Sequence, residues 1–152
     1  MSVNFEKYAC KGNEFVFLIA EELEVSRNKA TRIARAVLHA LRNCLTHEES
    51  FELLAHLPMA LKGFYIEGWL FATPATRINR LQEFFEKVKT EDAGLSGYDF
   101  SDQAMASAAV ASVFRQLNFV LSGGEMSSVR AVMPAEIKRF IKEITIGDDI
   151  IF

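Results

Sequence analysis

Apolar residues recur every three or four positions along most of this chain, which is the spacing of amphipathic helices. The clearest stripe consists of Ala30, Ile33, Ala34, Val37, Leu38, Leu41 and Leu45. Ser26 or Asn28 can cap the helix that carries this stripe, because both side chains accept hydrogen bonds from free backbone N–H groups. A similar stripe predicts an earlier helix over about residues 4–23, although Gly12 can divide it into two pieces.

Short motifs mark the ends of the next helices. Thr46 and Glu49 have the spacing of a capping box, which predicts the start of a third helix. Pro58 ends that helix near Leu57 and suits the first turn of a fourth, because a first-turn N–H has no partner to lose. Gly68 is expected to end the fourth helix.

The second half of the chain predicts a further set of helices. Thr73 and Pro74 offer a cap and a first-turn proline for a fifth helix that runs through Val88. Segment 94–100 contains two glycines and is typical of a loop, and a sixth helix is expected over about 102–121.

The sixth helix is expected to be central, because it has no charged residue between Asp102 and Arg115 and many small ones. Ser122 and Glu125 repeat the capping box for a seventh helix. Pro134 precedes an eighth helix that is expected to end near Ile146. No segment predicts a strand.

The second half of the sequence also repeats the first. When the chain is shifted along itself by half its length, residues 37–64 align without a gap on residues 113–140. The identical pairs are Val37/Val113, Leu41/Leu117, Leu45/Leu121, Glu49/Glu125, Ala55/Ala131, Pro58/Pro134, Lys62/Lys138 and Phe64/Phe140.

This repeat predicts the architecture. We expect an all-α single domain, residues 1–152, in which two pseudo-symmetric four-helix units, about 4–72 and 73–146, pack as one bundle. A short tail, 147–152, follows them. Asn13-Glu14-Phe15 also matches Gln82-Glu83-Phe84, but at a shorter offset, so segment 94–100 is an insertion that belongs to the second unit only.

Composition narrows the class of protein. The 152 residues include 17 Lys and Arg against 20 Asp and Glu, a net charge of −3, so no basic excess points to nucleic acid. The chain start has no basic segment followed by an apolar run, and no stretch is long enough to span a bilayer. We therefore expect a cytoplasmic protein in which Cys10 and Cys44 are ordinary thiols.

Several runs of the chain resemble one family. They are Ala36–Arg42, Ala55–Met59, Tyr65–Trp69, Ser122–Glu125 and Val129–Glu136, together with Asn4–Ala9 and Gly12–Phe15. In this order they closely resemble the uncharacterised bacterial family known as domain of unknown function 2267. The resemblance implies an all-helical duplicated domain and brings no established activity. The chain departs from the family's pattern where Leu70, Phe71 and Ala72 stand in place of polar turn residues.

The polar face of the third helix is one candidate for chemistry. Glu48, Glu52 and His56 follow one another at four-residue spacing beside His47, so they can be imagined around a metal such as zinc. The second unit supplies no matching ligands, and a solvated polar face opposite the apolar Phe51 explains the same spacing. We expect no metal and no cofactor.

Nucleophilic catalysis is a second candidate. Cys44 with His39 or His47 can be imagined as a thiol and its base, but no third group is evident that would orient the base. An apolar setting would raise the pKa of the Cys44 thiol and leave it inert. We expect no catalytic residues, and we favour a protein that is not an enzyme.

A basic stripe on the second helix suggests a third kind of site. Arg32, Arg35, His39 and Arg42 recur at helical spacing, and such a stripe can follow a phosphate backbone. The second unit does not repeat it, and the chain is acidic overall. A solvated helix face is the favoured interpretation, and weak nucleic-acid binding through Arg32, Arg35 and Arg42 is the alternative.

The strongest candidate for a binding site is the corner that contains Lys62, Tyr65 and Trp69. It holds the only Trp of the chain, and Tyr and Trp are common at binding hot spots. The second unit has Lys138, Ile141 and Thr145 at the matching positions. The alternative is that Tyr65 and Trp69 seal the joint between the two units.

Together these features favour a non-catalytic helical interaction module that binds a protein or peptide near Trp69. The partner can be a second copy of the chain, a homodimer, because Phe71, Phe100 and Phe152 crowd the loops and ends. The rival is a small-ligand protein or an enzyme with a pocket between the two units, using Lys62, Tyr65 and the face of His47 and Glu48.

Overall fold

The computed structural model describes residues 4–72, 74–121, 127 and 130–149, with side chains described as far as residue 144. Over these residues the chain is all-helical, and no strand occurs in them. The helices are α1 (Glu6–Leu23), α2 (Arg27–Cys44), α3 (His47–His56), α4 (Met59–Ile66), α5 (Leu81–Asp92), α6 (Gln103–Val120) and α7 (Ala135–Asp149). The described part therefore has seven helices, where the sequence predicts about eight.

The predicted capping motifs are present in the first half of the chain. Ser26 Oγ accepts a hydrogen bond from the Lys29 amide at 3.1 Å and so starts α2. Thr46 and Glu49 form the complete capping box of α3, with bonds of 3.2 and 2.9 Å in the two directions. Pro58 separates α3 from α4, as its missing N–H requires.

Helix α1 is continuous through Gly12, so the division considered for it does not occur. A Cβ atom on Gly12 would lie 2.8 Å from the Cβ of Ala60 in α4. The absence of a side chain at Gly12 therefore lets α1 and α4 approach closely, which offsets the low helix propensity of glycine.

Two helices form the centre of the fold. Helix α2 packs against α1, α4, α5 and α6, and helix α6 packs against α1, α2, α5 and α7. Fully buried apolar side chains of these two helices include Ile33, Leu38, Leu41, Phe114 and Leu117. Each contributes roughly 1.5–3 kcal/mol to the free energy of folding. The expected central position of α6 is therefore shared with α2, which is buried to the same degree.

The start of α5 differs from the prediction. The helix begins at Leu81, and the described residues 74–80 are not helical. Ile78 is buried in this irregular segment, and the Thr76 amide donates to the Asn43 carbonyl at 2.8 Å. The Leu81 amide donates to Glu136 of α7 at 2.9 Å, so a residue distant in sequence caps α5. The predicted cap, Thr73, lies outside the described residues.

The remaining boundaries are partly as predicted. Segment 94–100 is a loop, and Gly94 and Gly97 adopt the left-handed conformation that glycine favours. Helix α7 starts after Pro134 and continues to Asp149, three residues beyond its predicted end near Ile146. The second capping box, residues 122–125, lies outside the described part of the chain, as do residues 150–152.

Candidate functional site

The site begins at the C-terminal end of α4, where the last carbonyl groups have no partner within the helix. Two side chains of α2 satisfy them. The Arg42 guanidinium donates through one nitrogen to the carbonyl oxygens of Tyr65 at 3.0 Å and Glu67 at 2.7 Å. His39 Nε2 donates to the carbonyl oxygen of Phe64 at 2.6 Å. A cation in this position also interacts favourably with the helix dipole.

This geometry corrects the interpretation of the basic stripe as a solvated face. His39 and Arg42 are buried, because α4 packs over that side of α2. Arg35 forms an ion pair with Glu67, with 3.2 Å between Nε and Oε1, and lies over the ring of Phe64. Of the three arginines named for nucleic-acid binding, Arg32 is exposed, Arg35 is half-buried and Arg42 is internal.

Burial changes the acid–base properties of these groups. Desolvation lowers the pKa of His39 below its usual value of 6.5, although the Phe64 carbonyl and Glu91 act in the opposite direction. Desolvation also lowers the pKa of Arg42. The neutral form of His39, which carries its proton on Nε2, fits the hydrogen bond to Phe64.

Tyr65 and Trp69, two of the predicted binding residues, differ in their exposure. Tyr65 is fully buried, and its hydroxyl bonds Ser50 Oγ at 2.7 Å. Burial raises the pKa of Tyr65 well above its usual value. Trp69 is partly buried and lies edge-on to Tyr65, with 5.9 Å between ring centroids. Lys62, the third predicted residue, is half-exposed on α4. In this conformation Tyr65 supports Trp69 from below and has no surface for a partner.

Four rings beside this support form what we call the aromatic surface: His47, Phe51, Trp69 and Phe71. Their centroids lie between 4.6 Å, for Trp69 and Phe71, and 6.4 Å, for Phe51 and Phe71. Phe51 and Phe71 nevertheless keep 53% and 57% of their surface exposed. The rings therefore pack against one another while more than half of each phenylalanine faces solvent.

Sequence reasoning missed part of this surface. The sequence predicts Phe51 on the apolar side of α3, whereas the buried residues of that helix are Ser50 and Leu53. The matching residue of the second half, Ser127, is also exposed, and this polar counterpart was a signal that position 51 faces outward. Phe71 was named for self-association and is indeed exposed, but Phe100 is buried, so its assignment to a surface is wrong. Phe152 lies outside the described residues.

A cleft of about 350 Å³ opens beside the aromatic surface, between the end of α2, residues 68–70 and 74–76, and α5. Its lining includes Trp69, His47, Leu70, Lys87 and Glu91. Lys62, Tyr65 and Glu48, the residues expected around a pocket between the two halves, are not part of this lining, whereas His47 is.

The polar face of α3 does not converge on a metal site in the described chain. Glu48, Glu52 and His56 are exposed, while His47 turns toward Trp69 and Phe71. Among the residues that the structure describes, no three His, Cys, Asp or Glu side chains form a group able to hold a metal ion.

The expected rise in the pKa of the Cys44 thiol is confirmed. The thiol is half-buried, and burial raises its pKa to about 11. At neutral pH it is therefore protonated, and a protonated thiol is a poor nucleophile.

Fold and site together define a small all-helical protein with an exposed aromatic surface above a buried, hydrogen-bonded base. The chain belongs to the family described as uncharacterized conserved protein (DUF2267), whose profile matches residues 12–140. This match confirms the family resemblance and carries no activity. No curated protein matches the chain. Within the described part, none of the helices is both long and apolar enough to cross a bilayer.

Proposed function

We propose that this protein is a helical binding module that holds a segment of a partner protein on the aromatic surface. The observation that carries the proposal is the exposure of Phe51 and Phe71 within a cluster of four contacting rings. Clustered exposed apolar side chains are unfavourable in water and are typical of interaction sites, where aromatic residues supply much of the binding energy.

The base of this surface supports the proposal, because hydrogen bonds tie its backbone to α2. Arg42 fixes the Tyr65 and Glu67 carbonyls, and its guanidinium carbon lies 5.9 Å from the centre of the Trp69 ring. The Trp69 amide donates to the Ile66 carbonyl at 3.0 Å. A preorganised surface loses little conformational entropy on binding, so more of the contact energy remains as affinity.

The test uses peptides selected from a random-peptide library on the wild-type protein. Affinity is followed through the fluorescence of Trp69, the only Trp of the chain. We expect Phe51→Ser and Phe71→Ser each to weaken the selected peptides by about tenfold or more, as for hot-spot aromatic residues.

Phe119→Ser is the matched control. Phe119 is 68% exposed on α6 and is not one of the four rings, so this variant should bind the peptides like wild type. Selection of no binding peptide, or equal affinity for all three variants, would contradict the proposal.

A small ligand in the cleft is the second candidate function. Its support is the polar lining, in which the Lys87 ammonium has no carboxylate within ion-pair distance among the described residues. The volume lies at the lower end of the range of about 300–1,000 Å³ found for ligand pockets. A fragment screen by ligand-observed NMR tests it: hits should weaken in Lys87→Met and not in Lys89→Met, on the exposed side of the same helix.

We also infer that the fold consists of two duplicated units, and the pairing of helices supports this. Helix α1 packs against α2 and α4, as α5 packs against α6 and α7, while α2–α4 corresponds to α6–α7. Of the three remaining pairs, α2–α5 and α1–α6 correspond to each other when the units are exchanged, and α2–α6 corresponds to itself. This arrangement is what two copies of one unit would produce around a pseudo-twofold axis.

Cytoplasmic location and self-association stay predictions. Nucleic-acid binding has less support than before, because Arg42 is buried and Arg35 is paired with Glu67. An absence of salt-sensitive binding to duplex DNA would remove that alternative.

A further inference from the structure

We propose that the partner segment is basic, and that Glu48 and Glu52 of α3 contact its Lys or Arg side chains beside the aromatic surface. This inference rests on the proposed function, because it names the chemistry of the partner for the same surface. It is carried by the arrangement of side chains on α3 and by the distribution of charge around the four rings.

The outward face of α3 joins the rings to the two carboxylates. His47, Phe51 and Ala55 follow one another at four-residue spacing, and Glu48 and Glu52 lie on the adjacent line of the same helix face. Phe51, Ala55, Glu48 and Glu52 are all exposed. A chain that packs on the Phe51 ring therefore passes within reach of both carboxylates.

The charged residues on the two segments that form this surface are acidic, whereas the cationic side chains of Arg42 and Lys87 lie on its cleft side. The two segments that form it, residues 47–56 and 67–72, contain four Glu and no Lys or Arg. Glu49 is engaged in the capping box, and Glu67 is paired with Arg35. Within the described residues, by contrast, no hydrogen bond or ion pair joins the side-chain carboxylate of Glu48 or Glu52 to another group. These two carboxylates are available to a partner.

A basic segment gains binding energy from both the carboxylates and the exposed rings. A Lys or Arg side chain can pair with a carboxylate, and its aliphatic stem or cationic head can lie on the face of an exposed ring. The net charge of −3 favours the approach of a basic partner over an acidic one. An acidic segment would meet uncompensated like charge at the edge of the same rings.

The experiment uses the peptides selected on the wild-type protein. We expect them to combine an apolar anchor with nearby Lys or Arg. The double variant Glu48→Gln, Glu52→Gln should weaken them by about threefold to tenfold at low salt, and by less at physiological ionic strength, because exposed ion pairs are modest and screened. The double variant Glu21→Gln, Glu24→Gln makes the same charge change on exposed residues at the end of α1 and should leave their affinity unchanged.

A second measurement separates contact from general electrostatics. Peptides in which Lys and Arg are replaced by Gln should bind wild type and the α3 double variant equally, because the interaction has been removed from the other side. Peptides that depend on Phe51 and Phe71 but show no basic enrichment and no response to Glu48→Gln, Glu52→Gln would overturn this inference and leave the proposed function intact. Peptides that do not depend on the two phenylalanines would overturn both.

Discussion

The contact between α2 and α5 and the contact between α1 and α6 join equivalent helices of the two halves, but their surroundings differ. In the first, His39 Nδ1 of α2 lies 4.0 Å from Glu91 Oε2 of α5. In the second, Arg115 of α6 pairs with Glu22 of α1. His39 and Arg115 are matched by the half-length offset of the repeat, and Glu22 and Glu91 by the shorter offset that relates α1 to α5. Each contact is therefore crossed by a basic and an acidic side chain in equivalent positions.

The difference lies in what surrounds each pair. The α2–α5 contact borders the polar cleft and the aromatic surface, and Arg42 and His39 are committed there to the end of α4. The α1–α6 contact borders a cleft of about 280 Å³ whose lining includes Phe15, Leu18 and Phe119. One side of the molecule thus has the buried Arg42 and His39 beside a cluster of exposed rings, and the other has a half-exposed ion pair whose Glu22 also accepts from the buried Gln116. This contrast supports a functional role for the α2–α5 side.

The largest expected difference between the two sides is at position 42. Arg42→Met should reduce the free energy of unfolding by about 3 kcal/mol, because it leaves the Tyr65 and Glu67 carbonyls without their donor. Urea unfolding followed by circular dichroism measures the change.

Asn118→Met is the control at the matching position of α6, where the residue is half-buried. It should change the free energy of unfolding by less than about 1 kcal/mol, as is usual away from buried polar networks. Equal losses in both variants would show that the bonds of Arg42 do not distinguish the two sides.

A smaller effect is expected from the hydroxyl pair beneath Trp69. Tyr65→Phe keeps the ring but leaves Ser50 Oγ without its partner, so the free energy of unfolding should fall by about 1 kcal/mol. Combining Tyr65→Phe with Ser50→Ala should cost less than the sum of the two single changes, since both remove one bond. Strictly additive losses in a double-mutant cycle would contradict the pairing. The second half carries Met126 and Ile141 at these positions, so its sequence provides no such hydroxyl pair.

Local signals explain what the sequence predicted well. The capping box of Thr46 and the break at Pro58 depend on residues within one turn, so they can be read without knowledge of the fold. The raised pKa of Cys44 followed from its place on an apolar stripe, since burial alone is its largest cause. The all-α class followed in the same way from the spacing of apolar residues.

Long-range contacts explain what was missed. The sequence predicts a solvated Arg42, because its partners are the backbone carbonyls of Tyr65 and Glu67 at the end of another helix. Backbone carbonyls are the same for every residue type, so the sequence does not indicate them. Thr73 and Pro74 were a sound local start for α5, but the burial of Ile78 and the bond from Thr76 to Asn43 favour an irregular segment there. The aromatic surface was only half predicted, because exposure of a phenylalanine on a short helix depends on which neighbours cover it.

A still smaller difference between the two sides is expected in how the free energy of unfolding depends on pH. Burial holds the pKa of His39 below its unfolded value of 6.5, so the unfolded chain binds more protons than the folded one just below that pH. Stability from this group is complete above pH 6.5 and declines as the pH falls below it. Arg42 lowers the pKa further, and Glu91, Glu67 and the Phe64 carbonyl oppose the shift.

His39→Gln should flatten the decline between about pH 5 and 6.5, because glutamine can still donate to Phe64 but does not titrate. Arg115→Gln on the α1–α6 side should leave the slope unchanged, since arginine keeps its charge throughout. Urea midpoints measured across this range decide the matter, and an unchanged slope in His39→Gln would show that His39 is not the source.

The two cysteines should distinguish the two sides of the molecule by their rates of reaction with a thiol reagent. Cys44 lies at the end of α2 against α5, and burial raises its pKa to about 11, whereas Cys10 is exposed on α1. A thiol reagent at neutral pH should therefore modify Cys10 first, and Cys44 only when the α2–α5 contact opens.

Asn43→Ala removes the bond of 2.6 Å to Glu91, so it should speed labelling of Cys44 and leave Cys10 unaffected. Mass spectrometry of the labelled peptides separates the two rates. Equal rates at both cysteines in wild type would mean that the α2–α5 contact is open in solution, and the distinction between the two sides of the molecule would then have to be abandoned.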